Sequence, residues 1–260
     1  MKILPILLYH LIGPDRPGIY PALTVDPGRF QKQMRWLKRN GYTTVRTNDW
    51  MAWRLEGKPL PSRPVLVTFD DAYADLVEYA FPVLQEIGFT AIVFVVTGEI
   101  GGYNSWDQKN GSAAIPCMSA EQIRRWSGEG IEFGAHSRTH TDLTILAGVE
   151  VEEEIEGSGR HLAEILGTIP LSFAYPSGEY NDLVRNRVEK SFQLAFTCDE
   201  GLNGLGTHPY LLRRMMIQPR DSLLDFALRV KFGWNPIERL RVRIGLRTHI
   251  RGALRMLKGS

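Results

Sequence analysis

Short apolar runs rich in β-branched residues alternate along the chain with segments of helical spacing, and this rhythm constrains the fold more than any other feature. The runs fall at 3–9, 42–45, 65–69, 90–96, 131–134, 171–174, 194–197 and 211–217. Between them, a helix is predicted from about residue 27, with Phe30, Met34 and Leu37 on one face. Others are predicted near 75–87, 121–126, 149–166 and 181–190. A helix between successive strands returns the chain to the same end of the sheet, so the pattern predicts parallel strands with right-handed crossovers. Periodicity alone leaves a closed barrel and an open doubly wound sheet equally available. With 260 residues, 43% hydrophobic, the chain can bury the core of either, or of two smaller domains.

The formal charge of +2 is unevenly spread: residues 229–260 carry nine Lys or Arg against the single acid Glu238, leaving the rest net acidic. Cys117 and Cys198 are too few for a disulfide framework and have no metal-binding or redox spacing, so both read as packing residues. The apolar run near the N-terminus is short and lacks a small-residue cleavage site, and no stretch approaches membrane-spanning length. A cytoplasmic location, or a peripheral one at the inner membrane surface, is the expectation. The irregular segment 98–118, with Trp106 and Asp107, is longer than most structural connections, and such loops often line sites.

Three strand ends carry polar groups. The run Val65-Leu66-Val67-Thr68-Phe69 leads directly into Asp70-Asp71, two adjacent carboxylates that require a cation or a proton if buried. An Asp pair capping the next helix is the structural alternative. The run ending at Gly134-Ala135 leads into His136 and His140, whose imidazoles share a face if a helical turn begins there. Two neutral imidazoles and a carboxylate suit zinc or a similar divalent ion with positions left for water and substrate; unrelated solvated or core histidines are the alternative. The third strand end, Phe173-Ala174-Tyr175-Pro176-Ser177-Gly178, forms a turn fixed by Pro and Gly, or simply a loop.

In this order the three elements resemble the polysaccharide deacetylases of carbohydrate esterase family 4, over most of residues 1–220. Thr68-Phe69-Asp70-Asp71 is similar to the family's first motif, His136-Ser137-x-x-His140 to its second, and the segment around Tyr175-Pro176-Ser177-Gly178 to its third. The resemblance implies an α/β fold, a distorted (β/α) barrel of about seven parallel strands over 1–220; the charge pattern predicts a basic helical extension over 221–260. The resemblance also implies that Asp71, His136 and His140 hold a divalent metal, zinc with cobalt or nickel as substitutes, and that Asp70 is the base. Ala174 stands where the family usually has an Arg that orients the base. The Phe-Ala-Tyr-Pro form looks like the branch acting on poly-N-acetylglucosamine, where a later Arg is typical: Arg214, with Arg213 as the alternative. The family's C-terminal Leu-x-His is absent after Gly178. In the same branch a His follows the first strand, which makes His10 the expected general acid and His208 a weaker substitute. His161 and His249 read as structural. Ala72 replaces a Gly common in the family.

The expected reaction is hydrolysis of the N-acetyl group of a sugar in a polysaccharide, oligosaccharide or lipid-linked glycan, with the Ser177 backbone amide stabilising the oxyanion. Trp106, Tyr175 and Pro176 are candidate substrate contacts. Competing readings are a non-catalytic carbohydrate-binding relative and an amidase acting on small carbon-nitrogen bonds; a glycosidase would need two separated carboxylates instead. Beyond Pro236, Arg239, Arg243, Arg247, Arg251 and Arg255 recur every four residues beside Leu246, Ile250, Leu254 and Leu257. Residues 235–258 therefore read as a basic amphipathic helix for an anionic membrane surface or a membrane-bound polysaccharide-assembly enzyme, or as a solvated helix on the barrel. Nucleic acid is not an expected partner.

Overall fold

The seven main strands all run parallel. The computed structural model describes residues 2–14, 22–108 and 111–238. In chain order the strands are β1 (Ile6–Tyr9), β2 (Pro64–Phe69), β3 (Ile92–Val95), β4 (Glu132–Ala135), β5 (Ser172–Ala174), β6 (Leu194–Phe196) and β7 (Met215–Met216), hydrogen-bonded in the order β7-β1-β2-β3-β4-β5-β6. They curl into a barrel-like α/β fold, with the short strand Thr43–Thr44 added beside the start of β2.

Side chains of successive strand residues face opposite sides, and the core divides accordingly. Leu7, Tyr9, Val65, Val67, Phe69, Val93 and Val95 face outward, beneath helices that include α1 (Pro27–Arg39) and α2 (Ala120–Gly128). The predicted face of α1 is the buried one: Phe30, Met34 and Leu37. Ile6, Leu66, Ile92, Phe94, Ala174, Leu194 and Phe196 fill the interior. All six residues of β2 are buried, as a strand covered on both faces requires.

The closing segment departs from the single strand predicted over 211–217. Leu212 bridges to Phe196 of β6, whereas Met215 and Met216 pair with Leu7 and Leu8 of β1. The chain thus crosses from one neighbour to the other at Arg213-Arg214, where the Arg214 N–H donates to the Asp199 carbonyl at 2.9 Å. The predicted helix over 149–166 is also interrupted. It runs as Val149–Glu152, a π turn at Glu153–Gly157, and α3 (Ser158–Leu166).

After β7, α4 (Leu223–Phe232) packs onto the barrel through Phe226 and Val230, with Trp36 of α1 edge-on to Phe226 at 5.8 Å. Its Arg229 is buried and pairs with Asp221, Glu200 and Glu238. The arginine-rich repeat predicted as a helix begins at Arg239 and, with His249, lies outside the described residues. No helix of the described residues is long and apolar enough to cross a membrane.

Candidate active site

Strand register brings the polar strand ends together. Tyr9 pairs with Phe69, Val95 with Ala135, and Ala174 with Phe196. The residues just beyond, His10, Asp70, His136 and Tyr175, therefore emerge at the same carboxyl end of the barrel, where parallel α/β folds bind ligands. The Asp70 N–H still donates to the Tyr9 carbonyl and the His136 N–H to that of Val95, at 3.0 and 2.9 Å.

Beyond those bonds the backbone turns sharply. Five non-glycine residues have positive φ among the described residues: Asp71 (71°), Ala72 (50°), Ser137 (60°), His140 (58°) and Ser177 (55°). All lie in the three motif segments. Each such conformation costs about 1–2 kcal/mol, so the surrounding packing must over-determine it. The His136–His140 segment is not the helical turn considered from spacing. The left-handed Ser137 and His140 fold it back, and the His140 N–H donates to the Ser137 hydroxyl at 2.9 Å. Glu154, from the π turn, accepts from the N–H groups of Arg138 and Thr139 at 2.8 and 3.0 Å and braces the loop from outside.

Asp70 and Asp71 are adjacent and both nearly fully buried, yet their surroundings differ. Arg214, wholly buried, meets Asp70 with two parallel bonds of 2.6 and 2.8 Å. Its Nε–H donates to the Thr197 carbonyl at 2.9 Å, and its plane lies over Phe94, 5.5 Å from the ring centre. Burial by itself drives the Asp70 carboxyl up, but the Arg214 and His136 charges more than reverse this and hold it at about 2. Of the two arginines considered, Arg214 is the one that meets Asp70; Arg213 packs against Gly201.

Asp71 has no such cation. Its Oδ1 is buried without a hydrogen-bond partner, while the Nε2 atoms of His140 and His136 stand 3.5 and 3.7 Å away. Burial, the largest influence on Asp71, outweighs the opposing pull of His10, and with Asp70 and Asp107 nearby the carboxyl is pushed up to about 7. His136 Nδ1 lies 2.8 Å from the Ala174 carbonyl, which places its proton there and leaves Nε2 as a lone-pair donor. Burial lowers both histidines, His136 to about 3, so both are neutral near pH 7. The three ligand atoms lie within 4.8 Å of one another. An orphaned carboxylate oxygen facing two neutral imidazole nitrogens fits a divalent cation, because nothing else among the described residues satisfies that oxygen.

His10 is half-buried across the strand pair and close enough for its charge to act on both aspartates. Ser177 sits exposed at the tip of its turn. The next residue must be glycine, since a Cβ on Gly178 would lie 2.6 Å from that of Cys198, and its φ is +77°. Trp106, half-exposed, stacks on His140 with ring centres 5.1 Å apart and planes 25° from parallel. Tyr175 and Pro176 are placed differently from an open sugar platform: both are buried, and the Tyr175 hydroxyl donates to the Tyr210 carbonyl at 3.1 Å. His208 is exposed and accepts from the Tyr210 N–H at 3.3 Å, and His161 lies on α3. Tyr73 and Glu154 were not singled out from sequence. The only signal for Tyr73 was its place two residues beyond the Asp pair, and Glu154 was one acid among many in its segment.

The Polysaccharide deacetylase family profile matches residues 57–194. YxkH of Bacillus subtilis, which carries a polysaccharide deacetylase name, is 27% identical over 220 residues, covering 84% of this chain and 73% of its own. The poly-beta-1,6-N-acetyl-D-glucosamine N-deacetylase of Staphylococcus aureus is 22% identical over 204 residues, covering 75% of this chain and 68% of its own. The deacetylase PplD of Streptococcus pyogenes, solved with acetate, superposes with a TM-score of 0.76 at 26% identity, covering 87% of this chain and 97% of that one. With the profile spanning more than half of its length, the chain belongs to the polysaccharide deacetylase family.

Proposed function

We propose that this protein is a metal-dependent N-deacetylase that hydrolyses the N-acetyl group of an N-acetylated amino sugar within a glycan, of the poly-N-acetylglucosamine type. The observation that carries this reading is the unsatisfied Asp71 Oδ1 between two imidazole nitrogens, beside a carboxylate that Arg214 keeps ionised. Membership of the deacetylase family and the name of the Staphylococcus aureus relative support the substrate class.

Asp71, His136 and His140 would hold a divalent cation, zinc in this reading, which when bound would supply Lewis acidity for the acetyl carbonyl and for water. Asp70 accepts the proton of the attacking water as its oxygen bonds to the carbonyl carbon. Arg214 fixes the direction in which the Asp70 lone pairs point, and its charge keeps the base ionised at every working pH. The Ser177 N–H stabilises the oxyanion as it forms. His10 delivers a proton to the nitrogen as the carbon-nitrogen bond breaks, giving acetate and a free amine. Trp106 offers a flat apolar edge to the sugar. Residues 235–258 would hold the protein to an anionic membrane surface where such a glycan is assembled.

The test is acetate release from short N-acetylglucosamine oligomers by zinc-loaded protein, chelated protein and Asp70→Asn. Chelation should abolish release. Asp70→Asn should reduce turnover by about 10²–10⁴-fold, the usual contribution of a positioned base, while zinc remains bound. Equal release with and without chelator would refute the metal-dependent reading.

A further inference from the structure

Tyr73 stands two residues beyond the Asp pair, is wholly buried, and takes no part in the reaction described above. Its hydroxyl donates to Asp107 Oδ2 at 3.4 Å, and its backbone follows Asp71 by two residues. Asp107 belongs to the short turn Ser105–Gln108, whose Trp106 stacks on His140. The Tyr73 ring lies 6.3 Å from that of Trp106. Asp71, Tyr73, Asp107, Trp106 and His140 therefore form a closed circuit, joining two proposed ligands through a loop that comes from elsewhere in the fold.

The circuit has a stiff frame. The Ala74 N–H donates to the Pro116 carbonyl at 2.9 Å and the Met118 N–H to that of Ala72 at 2.8 Å, which clamps the turn after Asp71 to the far end of the loop. At its near end, buried Asn104 accepts from the Ile115 N–H at 2.7 Å. The backbone at Tyr73 cannot shift without breaking the bonds on either side of it. The one hydroxyl proton goes to Asp107, and Asp71 Oδ1 stays free toward the imidazoles.

We propose that Tyr73 is a positioning residue for the metal site: through its hydroxyl bond to Asp107 and its ring against Trp106, it ties the turn after Asp71 to the turn that presses Trp106 on His140. This rests on the reading that Asp71, His136 and His140 hold a divalent cation. Partners that orient metal ligands typically contribute 10–100-fold to metal affinity. Tyr73→Phe keeps the ring and deletes only the donor; Asp107→Asn keeps the size and an acceptor oxygen while removing the charge.

The experiment is zinc binding by competition with a chromogenic chelator, together with the visible spectrum of the cobalt-substituted protein, in wild type, Asp71→Asn, Tyr73→Phe, Asp107→Asn and the Tyr73→Phe/Asp107→Asn pair. Tyr73→Phe should weaken zinc binding 10–100-fold and alter the cobalt spectrum. Asp107→Asn should weaken it less, and the pair should bind no worse than Tyr73→Phe, because Asp107 acts through the same hydroxyl. Wild-type affinity and spectrum in folded Tyr73→Phe would overturn the proposal. If that variant does not fold, unchanged binding and spectrum in Asp107→Asn overturn it instead. Wild type that binds no better than Asp71→Asn would defeat the metal reading itself, a separate result.

Discussion

Two halves of one site, built on consecutive residues, have opposite electrostatic solutions. On the Asp70 side the chain supplies its own counter-ion, and the carboxylate, its charge and both its oxygens are satisfied by Arg214. On the Asp71 side the described residues supply lone pairs and no hydrogen-bonded cation, and an oxygen is left buried and orphaned. The contrast teaches that burial does not decide a carboxylate's role, since both are equally enclosed. The partner decides it: a fixed cation holds Asp70 ionised, whereas Asp71 keeps a buried oxygen that the proposed divalent ion would satisfy.

The sharpest way to break this contrast is to remove the internal counter-ion. Arg214→Met should cost about 3–5 kcal/mol, the usual penalty for stranding a buried charge, and should lower the melting temperature by roughly 2–4 °C per kcal/mol. Arg214→Lys should recover little, because a point charge cannot reproduce the paired bonds. Melting curves that overlay wild type would mean that Asp70 is not held by this pair.

The second prediction concerns protons on the other half. In metal-free protein Asp71 titrates near 7, so below that pH zinc must displace a proton. Zinc affinity should fall about tenfold per pH unit below 7 and level off above it, as read by chelator competition from pH 5.5 to 8. The two aspartates also bend stability in opposite directions. A raised acid binds protons more tightly when folded, so the Asp71 contribution declines as pH climbs from about 4 to 7. Asp70, being depressed, contributes fully above about 4, and that contribution disappears as pH falls towards 2. An affinity independent of pH across this range would contradict the assignment of Asp71.

Smaller effects sharpen the picture. Trp106→Ala should raise the Michaelis constant several-fold with little change in turnover, consistent with about 0.5–1.5 kcal/mol of ring contact. Unchanged kinetics would remove Trp106 from the substrate path. Ala72→Gly should move stability by less than about 1 kcal/mol, since relief of the left-handed backbone at φ 50° offsets a lost buried methyl. A loss well beyond that in thermal melts would show that the methyl matters more than the strain.

The strand ends were legible in the sequence because a buried strand must be apolar throughout, so the carboxylates and imidazoles mark where it stops. The convergence of His136 and His140 was legible, but not its means. Helical spacing and a folded-back loop with two left-handed residues both bring residues four apart together, and only backbone angles separate them. Arg214 could be shortlisted only by resemblance. Its pairing with Asp70 spans 144 positions and depends on where the closing segment changes neighbours, which no local pattern encodes. Tyr175 illustrates the reverse case: an aromatic beside a motif looks like a sugar contact, whereas its hydroxyl is committed to Tyr210 in the core.

That separation of 144 residues has a consequence for the order in which the protein is made. A ribosome delivers the strand bearing Asp70 long before it delivers Arg214, and in the interval the carboxylate has no built-in cation to accompany it out of water. Enclosing it as a charge before Arg214 arrives would be uphill by roughly several kcal/mol. The closing arginine therefore acts as a completion signal: a nascent chain halted short of Arg214 lacks the base's counter-ion and the final seam of its own wall.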